Sequence, residues 1–229
     1  MPVSADRKTI INPNPDFLEA VNQRKVYFKL VITVFYAVGI IGMMIPAFRP
    51  AFQMLTPFHL LLSLGILFLF HRDWNLGFLI FAAAAFLLGY GSEVMGVHTG
   101  FPFGNYSYGP VLGFQLFEVP LMIGVNWLLL VYMTGNLFNE RVSNDMLAAA
   151  LSASLMVLLD VAIEPVAVAL DFWTWEGDII PLSNFIGWFG VAFLIQLIYR
   201  KVVFDKSNAI SFYLLLHMAA FFVLLNLLL

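Results

Sequence analysis

Asp160 and Glu164 stand four residues apart inside a long apolar stretch. In a helix that spacing puts both carboxyls on one face, within reach of each other. Two carboxylates in a low-dielectric setting cannot both ionise cheaply, so the pair is expected to share a proton and act as a buried acid. Pro165 follows at once and lacks the amide that would bond the carbonyl of Val161, which opens a polar backbone group beside the pair. Glu93 and Glu118 lie near the ends of two other apolar stretches. Carboxyls inside a membrane are costly, and each calls for a partner, a proton or a task. The plain alternative is that they cap or knit helices; four toward one side of a membrane favour a functional cluster.

Two loops flank these acids. The first carries His98, Thr99, Asn105, Tyr106 and Tyr108 among glycines and prolines, and the second carries Trp173, Trp175, Glu176 and Asn184. Neither holds a Lys or Arg between residues 97 and 113 or between 171 and 182. Tyr106 and Tyr108 alternate, so they share one side of an extended segment, as Trp173 and Trp175 do. Aromatic pairs of this kind are either interfacial anchors or faces that stabilise a passing cation. His98 is expected to be a loop residue. His217, Asn126, Asn184, Gln196 and Asn226 are expected to bond helix to helix.

The elements that must position these groups follow from composition. Of 229 residues, 62% are hydrophobic and 11% charged. A soluble domain averages about 25% charged residues, so this is an integral membrane protein. Spans of about 20 apolar residues fit seven stretches: Val26 to Pro46, Phe52 to Phe70, Leu76 to Gly96, Phe114 to Phe138, Met146 to Leu170, Ser183 to Tyr199 and Ala209 to Leu229. Pro120 can break the fourth into a surface segment and a span. Seven spans place Arg7, Lys8, Arg24, Lys25, Lys29, Arg72, Arg141, Arg200, Lys201 and Lys206 on one side and Arg49 on the other. That asymmetry makes the amino terminus cytoplasmic and puts the acids toward the outer half of the cytoplasmic membrane. The expected organisation is an all-α polytopic protein with a polar tail at 1–25, one helical domain at 26–229 and a functional core at 76–199.

With no cysteine, disulfides, iron–sulfur clusters and thiolate chemistry are excluded. Four scattered histidines make no metal-binding motif, so no metal is expected. A net charge of -3 and the lack of a basic tract exclude nucleic acid as a partner. The mixed charges before Tyr27 are not those of a cleavable signal peptide.

A weak internal repeat runs through the core. Glu93, Tyr106-x-Tyr108 and Val119-Pro120-Leu121 with Gly124 and Trp127 parallel Glu164, Trp173-x-Trp175 and Ile180-Pro181-Leu182 with Gly187 and Trp188. Both copies run span, loop, span in the same direction, which implies a pseudo-twofold axis along the membrane normal. Glu93 and Glu164 would then face each other across a cavity.

At these loops the sequence resembles the carotenoid biosynthesis protein family of CruF-like carotenoid hydratases. The resemblance rests on Glu93-Val-x-Gly96-Val-x-Thr99-Gly100-x-Pro102-Phe103-Gly104-x-Tyr106-x-Tyr108, on Asp160-x-x-x-Glu164-Pro165, on Trp173-x-Trp175, and on Pro181-Leu-Ser-Asn184-x-x-Gly187-Trp188. It implies addition of water across the terminal double bond of an acyclic carotenoid. Protonating that alkene gives a tertiary carbocation and needs a positioned acid with facing aromatics. One member of the Asp160 and Glu164 pair would donate the proton, while Glu93, or alternatively Glu118, orients the water and takes its proton. Thr99, Asn105, Tyr106, Tyr108, Trp173, Trp175, Asn184 and Trp188 are the candidate substrate contacts, with an apolar groove for the polyene and membrane lipid around it. No organic cofactor or metal is required.

A lycopene-type cyclase would begin with the same protonation. A proton-coupled transporter would also use intramembrane carboxyls and pseudo-symmetric halves, and a pigment-assembly subunit is a third alternative. A retinal protein is excluded because Ala209 to Leu229 has no lysine for a Schiff base. A magnesium-dependent prenyltransferase is excluded because repeated Asp-rich motifs are missing.

Overall fold

The structure, a computed structural model, describes residues 9–11 and 14–229. The tail residues 1–8 and 12–13, Arg7, Lys8 and Pro13 among them, lie outside the described residues. A short helix α1 (Pro15–Gln23) opens on Asn14, whose side chain accepts from the Asp16 amide at 2.9 Å. That supplies a cap for free amides at a helix start, and the tail holds a helix that its polar composition did not announce.

Seven longer helices follow: α2 (Lys25–Met44), α3 (Arg49–Leu69), α4 (Leu76–Thr99), α5 (Leu121–Asn139), α6 (Asp145–Ala169), α7 (Leu182–Lys201) and α8 (Ser211–Leu228). All seven are long and apolar enough to cross a membrane, and the protein is a multi-pass membrane protein. They match the seven apolar stretches with end shifts of a few residues, except at the fourth. There residues 114–120 leave the span and form a hairpin, β4 (Gln115–Leu116) against β5 (Val119–Pro120), with Phe117 and Glu118 at positive φ in its turn. Proline at the end of β5 withholds an amide, so the helix starts only at Leu121.

Helix α5 is the axis of the bundle. It packs on α3, α4, α6, α7 and α8, and it buries Trp127, Leu129, Leu130, Val131 and Tyr132 completely. The outer helices turn large apolar side chains outward, Leu55, Phe58, Leu87 and Leu158 among them, as lipid-facing surfaces do. Helices α4, α5, α6 and α7 form a ring in which α4 touches α5 and α7, and α6 touches α7 and α5. Helices α2 and α3 pack together and onto α8 beside it.

Three two-stranded ribbons join the ends. Strand β1 (Thr9–Ile11) pairs with β2 (Trp74–Asn75), and β3 (Tyr106–Tyr108) pairs antiparallel with β6 (Trp173–Trp175). At the end of the bundle opposite β3 and β6, Arg200 and Lys201 both reach Asp145, at 2.9 and 2.7 Å, tying α7 to the start of α6. In the turn between α3 and α4, His71 is buried and stacked on Phe78 at 3.8 Å. Its Nε2 lies 2.9 Å from the Asp73 carbonyl, which can only accept, so Nε2 carries the hydrogen. Nδ1 is then the acceptor for the Tyr132 hydroxyl at 3.0 Å.

Candidate functional site

Along α6, Ala149, Ala153, Met156, Asp160, Glu164 and Ala167 recur at three- and four-residue steps, and all are buried. Small residues at this spacing let a neighbouring helix approach closely. Helix α7 takes that place and brings Asn184, at its first turn, against the acid pair. The Asn184 Nδ2 donates to Asp160 Oδ2 at 2.8 Å and to Glu164 Oε1 at 3.0 Å, so one amide spans both carboxyls. Asp160 is fully buried, and its Oδ1 has no hydrogen-bond partner. The helix continues through Pro165, and the Asn226 side chain of α8 donates to the Ala162 carbonyl at 2.5 Å.

Each glutamate is held by the aromatics that follow it in the chain. Glu164 Oε2 accepts from the indoles of Trp173 at 2.9 Å and Trp175 at 2.8 Å. Glu93 Oε2 accepts from the hydroxyls of Tyr106 at 2.5 Å and Tyr108 at 2.8 Å, and its Oε1 accepts from the Trp127 indole at 3.1 Å. Loss of surrounding water, and then the neighbouring Glu93 carboxyl, push both loop phenols above the ordinary tyrosine pKa. They therefore remain O–H donors.

The pairing of β3 with β6 sets Tyr106 opposite Trp175 and Tyr108 opposite Trp173, with Ser107 facing Thr174 at 3.3 Å between hydroxyls. This antiparallel register is what a local twofold axis through Ser107 and Thr174 produces. Trp127 and Trp188, each seven residues after the proline that precedes its helix, stack at 4.4 Å, as the same axis requires. The repeat breaks at one position. Four residues before Glu164 stands Asp160, whereas four before Glu93 stands Gly89, where a Cβ would lie 2.3 Å from Trp127 Cγ. Trp127 occupies the space an acid would need, so only one half carries a carboxyl pair.

Glu93 and Glu164 line one small hollow, of about 20 Å³, whose roof is the β3–β6 ribbon. Tyr106, Tyr108, Trp173, Trp175, Asn184 and Trp188 line it too, and no Lys or Arg does. A site of that size admits a single water, which needs roughly 10–15 Å³. The structure thus brings together three of the four candidate carboxyls and six of the eight candidate contacts.

The other candidates fall elsewhere. Glu118 is exposed at positive φ in the β4–β5 turn, because its segment leaves the span before α5 begins. Thr99 is exposed and its hydroxyl donates back to the Met95 carbonyl at 2.7 Å. Asn105 is exposed and donates to Glu176 at 2.6 Å, pinning one loop to the other. His98 is exposed, and His217 bonds Thr33 at 3.1 Å across helices. Asn184 was expected both as a helix-to-helix bond and as a substrate contact; it clasps the two acids. Trp127 and Asn126 also line the hollow and were not among the candidates. The repeat had aligned Trp127 with Trp188, which was the available signal for it.

A second cavity, of about 480 Å³ and almost wholly apolar, lies between α2, α3 and α8. It touches Phe172, the neighbour of Trp173, and its far wall includes Gly39, Leu62 and Phe221. Glutamine Gln53 of α3 donates to the Leu170 carbonyl at 2.8 Å, fastening this wall to the end of α6.

Comparison with known proteins gives two matches and one blank. The family model described as carotenoid biosynthesis protein matches residues 55–229. A bisanhydrobacterioruberin hydratase of Haloarcula japonica is 31% identical over an alignment of 157 positions that covers 62% of this chain and 50% of the relative. The match thus spans about half the length of that curated relative. No solved structure matches.

Proposed function

Because the chain belongs to the carotenoid biosynthesis protein family, we propose that it adds water across the terminal double bond of an acyclic carotenoid. The observation that carries this reading is one hollow lined by Glu93 and Glu164 under an aromatic roof, with Asp160 joined to Glu164 behind it through the Asn184 amide. The similarity to a hydratase supports the same class of reaction.

Asp160, sealed from solvent with one oxygen unpartnered among the described residues, stores the pair's proton, and Glu164, which lines the hollow, delivers it. That proton goes to the alkene carbon nearer the chain, and the alkene pair forms the new C–H bond. The cation left on the dimethyl carbon is tertiary and faces indole and phenol rings. A water oxygen then forms the C–O bond, and its surplus proton passes to Glu93. Return of that proton to the acid pair closes the cycle, so the net change is one water added. Asn184 holds Asp160 and Glu164 together, and Glu164 keeps the pair from losing its proton to bulk solvent. The apolar cavity beside Phe172 suits the body of the polyene. The basic residues collected on the opposite side favour a site toward the outer half of the cytoplasmic membrane.

Expression in a host that accumulates an acyclic carotenoid, followed by mass measurement of the pigments, tests this. A product heavier by one water is expected. A cyclised product of unchanged mass, or unchanged pigment with proton flux in vesicles, overturns it.

A further inference from the structure

Asn126 belongs to none of the hydrogen-bond sets described above. It stands on α5 between Ile123 and Trp127, and these three, at helical steps of three and four, turn one face of the helix to the hollow. Its side chain is half-buried, and among the described residues its amide has no hydrogen-bond partner. The neighbouring groups are already engaged. Glu93 and Glu164 each accept three hydrogen bonds, and the indoles of Trp127, Trp173 and Trp175 are spent on them. The hollow therefore offers room for one water, and Asn126 offers a free donor and a free acceptor to hold it.

We propose that Asn126 holds the water that captures the carbocation, and so decides between hydration and deprotonation. This rests on the hydratase reading. The tertiary cation has two exits. In one, a water lone pair forms the C–O bond and the oxonium gives its proton to Glu93. In the other, a neighbouring C–H bond gives up its proton to a carboxylate and its electron pair reforms an alkene, with no net change. Which exit wins depends on an oriented lone pair being present when the cation forms. One amide N–H donates to the water oxygen, which leaves its second lone pair for the cation, and the amide oxygen takes one of its hydrogens. The other hydrogen is left for Glu93, whose partner Trp127 is the next residue on α5.

The test is turnover in deuterium oxide. Wild-type protein should give hydroxylated product carrying deuterium beside the new alcohol. Asn126→Leu, close in size but without an amide, should lower the ratio of hydration to deuterium exchange into recovered alkene by about 100-fold, because protonation persists while capture fails. Asn126→Ser, which keeps a hydroxyl and opens space for water, should recover part of that ratio. An unchanged ratio in both variants overturns the inference and leaves the hydratase reading standing. Equal loss of exchange and hydration in a variant with wild-type melting behaviour overturns it too, since Asn126 would then serve protonation. Should Asn126→Leu not fold, the Asn126→Ser ratio decides alone: it must fall below wild type. No hydration by wild type on any acyclic carotenoid removes the underlying reading instead.

Discussion

Glu93 and Glu164 are the same side chain given different surroundings, and the proposed mechanism gives them different work. Glu93 faces two phenols and an indole, three neutral donors that fix the orientation of both its oxygens. Glu164 faces two indoles and the amide it shares with Asp160, so its charge depends on its partner. Asp160→Asn should lower turnover by about 100-fold or more, the usual worth of a positioned acid, while expression and melting stay near wild type. Tyr108→Phe removes one of three donors to Glu93 and should cost only about 10-fold, on the order of one hydrogen bond. Pigment conversion rates compare the two, and equal losses would contradict the division of roles. At this scale the sequence was informative where chemistry repeats: both glutamates and all four loop aromatics stood out by parallel order. The roles of Asn184 and Asn126 were not legible, because which face of one helix meets another depends on helix phase and packing across distant segments.

Among elements, the ribbon of β3 and β6 does most to define the site, since it carries four of the rings that cover the carboxyls. The hollow beneath it takes one water, and the branched end of a carotenoid is several times larger, so the proposed function predicts that the strands of the ribbon part to admit substrate. A disulfide between Ser107→Cys and Thr174→Cys would keep its two strands from parting. The facing hydroxyls at 3.3 Å put the two Cβ atoms within bridging range, and the chain has no other cysteine to interfere. The oxidised double variant should be inactive and regain activity on reduction; full activity while oxidised would show that the strands do not part. The alternation of aromatic and small residues made both strands foreseeable as extended segments. Their mutual pairing was not, as they are separated by two entire helices. The β4–β5 hairpin shows the opposite case: its apolar residues extended the fourth stretch on paper, and Pro120 alone hinted at the break.

The turn that holds His71 gives a second element-scale expectation. Burial pushes this histidine below the ordinary value of 6.5. The unfolded chain therefore binds more protons than the folded one in that range, and stability is intact above 6.5 but declines as pH falls through the folded value. His71→Gln should flatten the acid-side fall in melting temperature measured in detergent. A slope identical to wild type would assign the acid sensitivity to other groups.

For the molecule as a whole, seven hydrophobic runs and one-sided basic loops were enough to foresee the bundle, because lipid restricts backbone to satisfied helices. Their arrangement was less accessible. An apolar groove between helices was expected without a location, and the large apolar cavity opens between α2, α3 and α8, beside the four-helix ring. Gly39 keeps it wide, since a Cβ there would already meet Phe221 at 3.3 Å. Gly39→Phe should raise KM for full-length carotenoid several-fold with little change in kcat, a pattern of lost uniform binding. Truncated substrates that keep only the reactive end should be spared.

The absence of an acid opposite Asp160, where Gly89 makes way for Trp127, has its own consequence. Under the proposed function, a symmetrical pigment would bring two identical termini to a protein with a single acid pair, which would treat one per visit. It must depart, reverse and dock again before the second is altered. Time courses with such a pigment should therefore show the half-finished species build up and then drain away, and its dilution into unlabelled pigment should slow the second event.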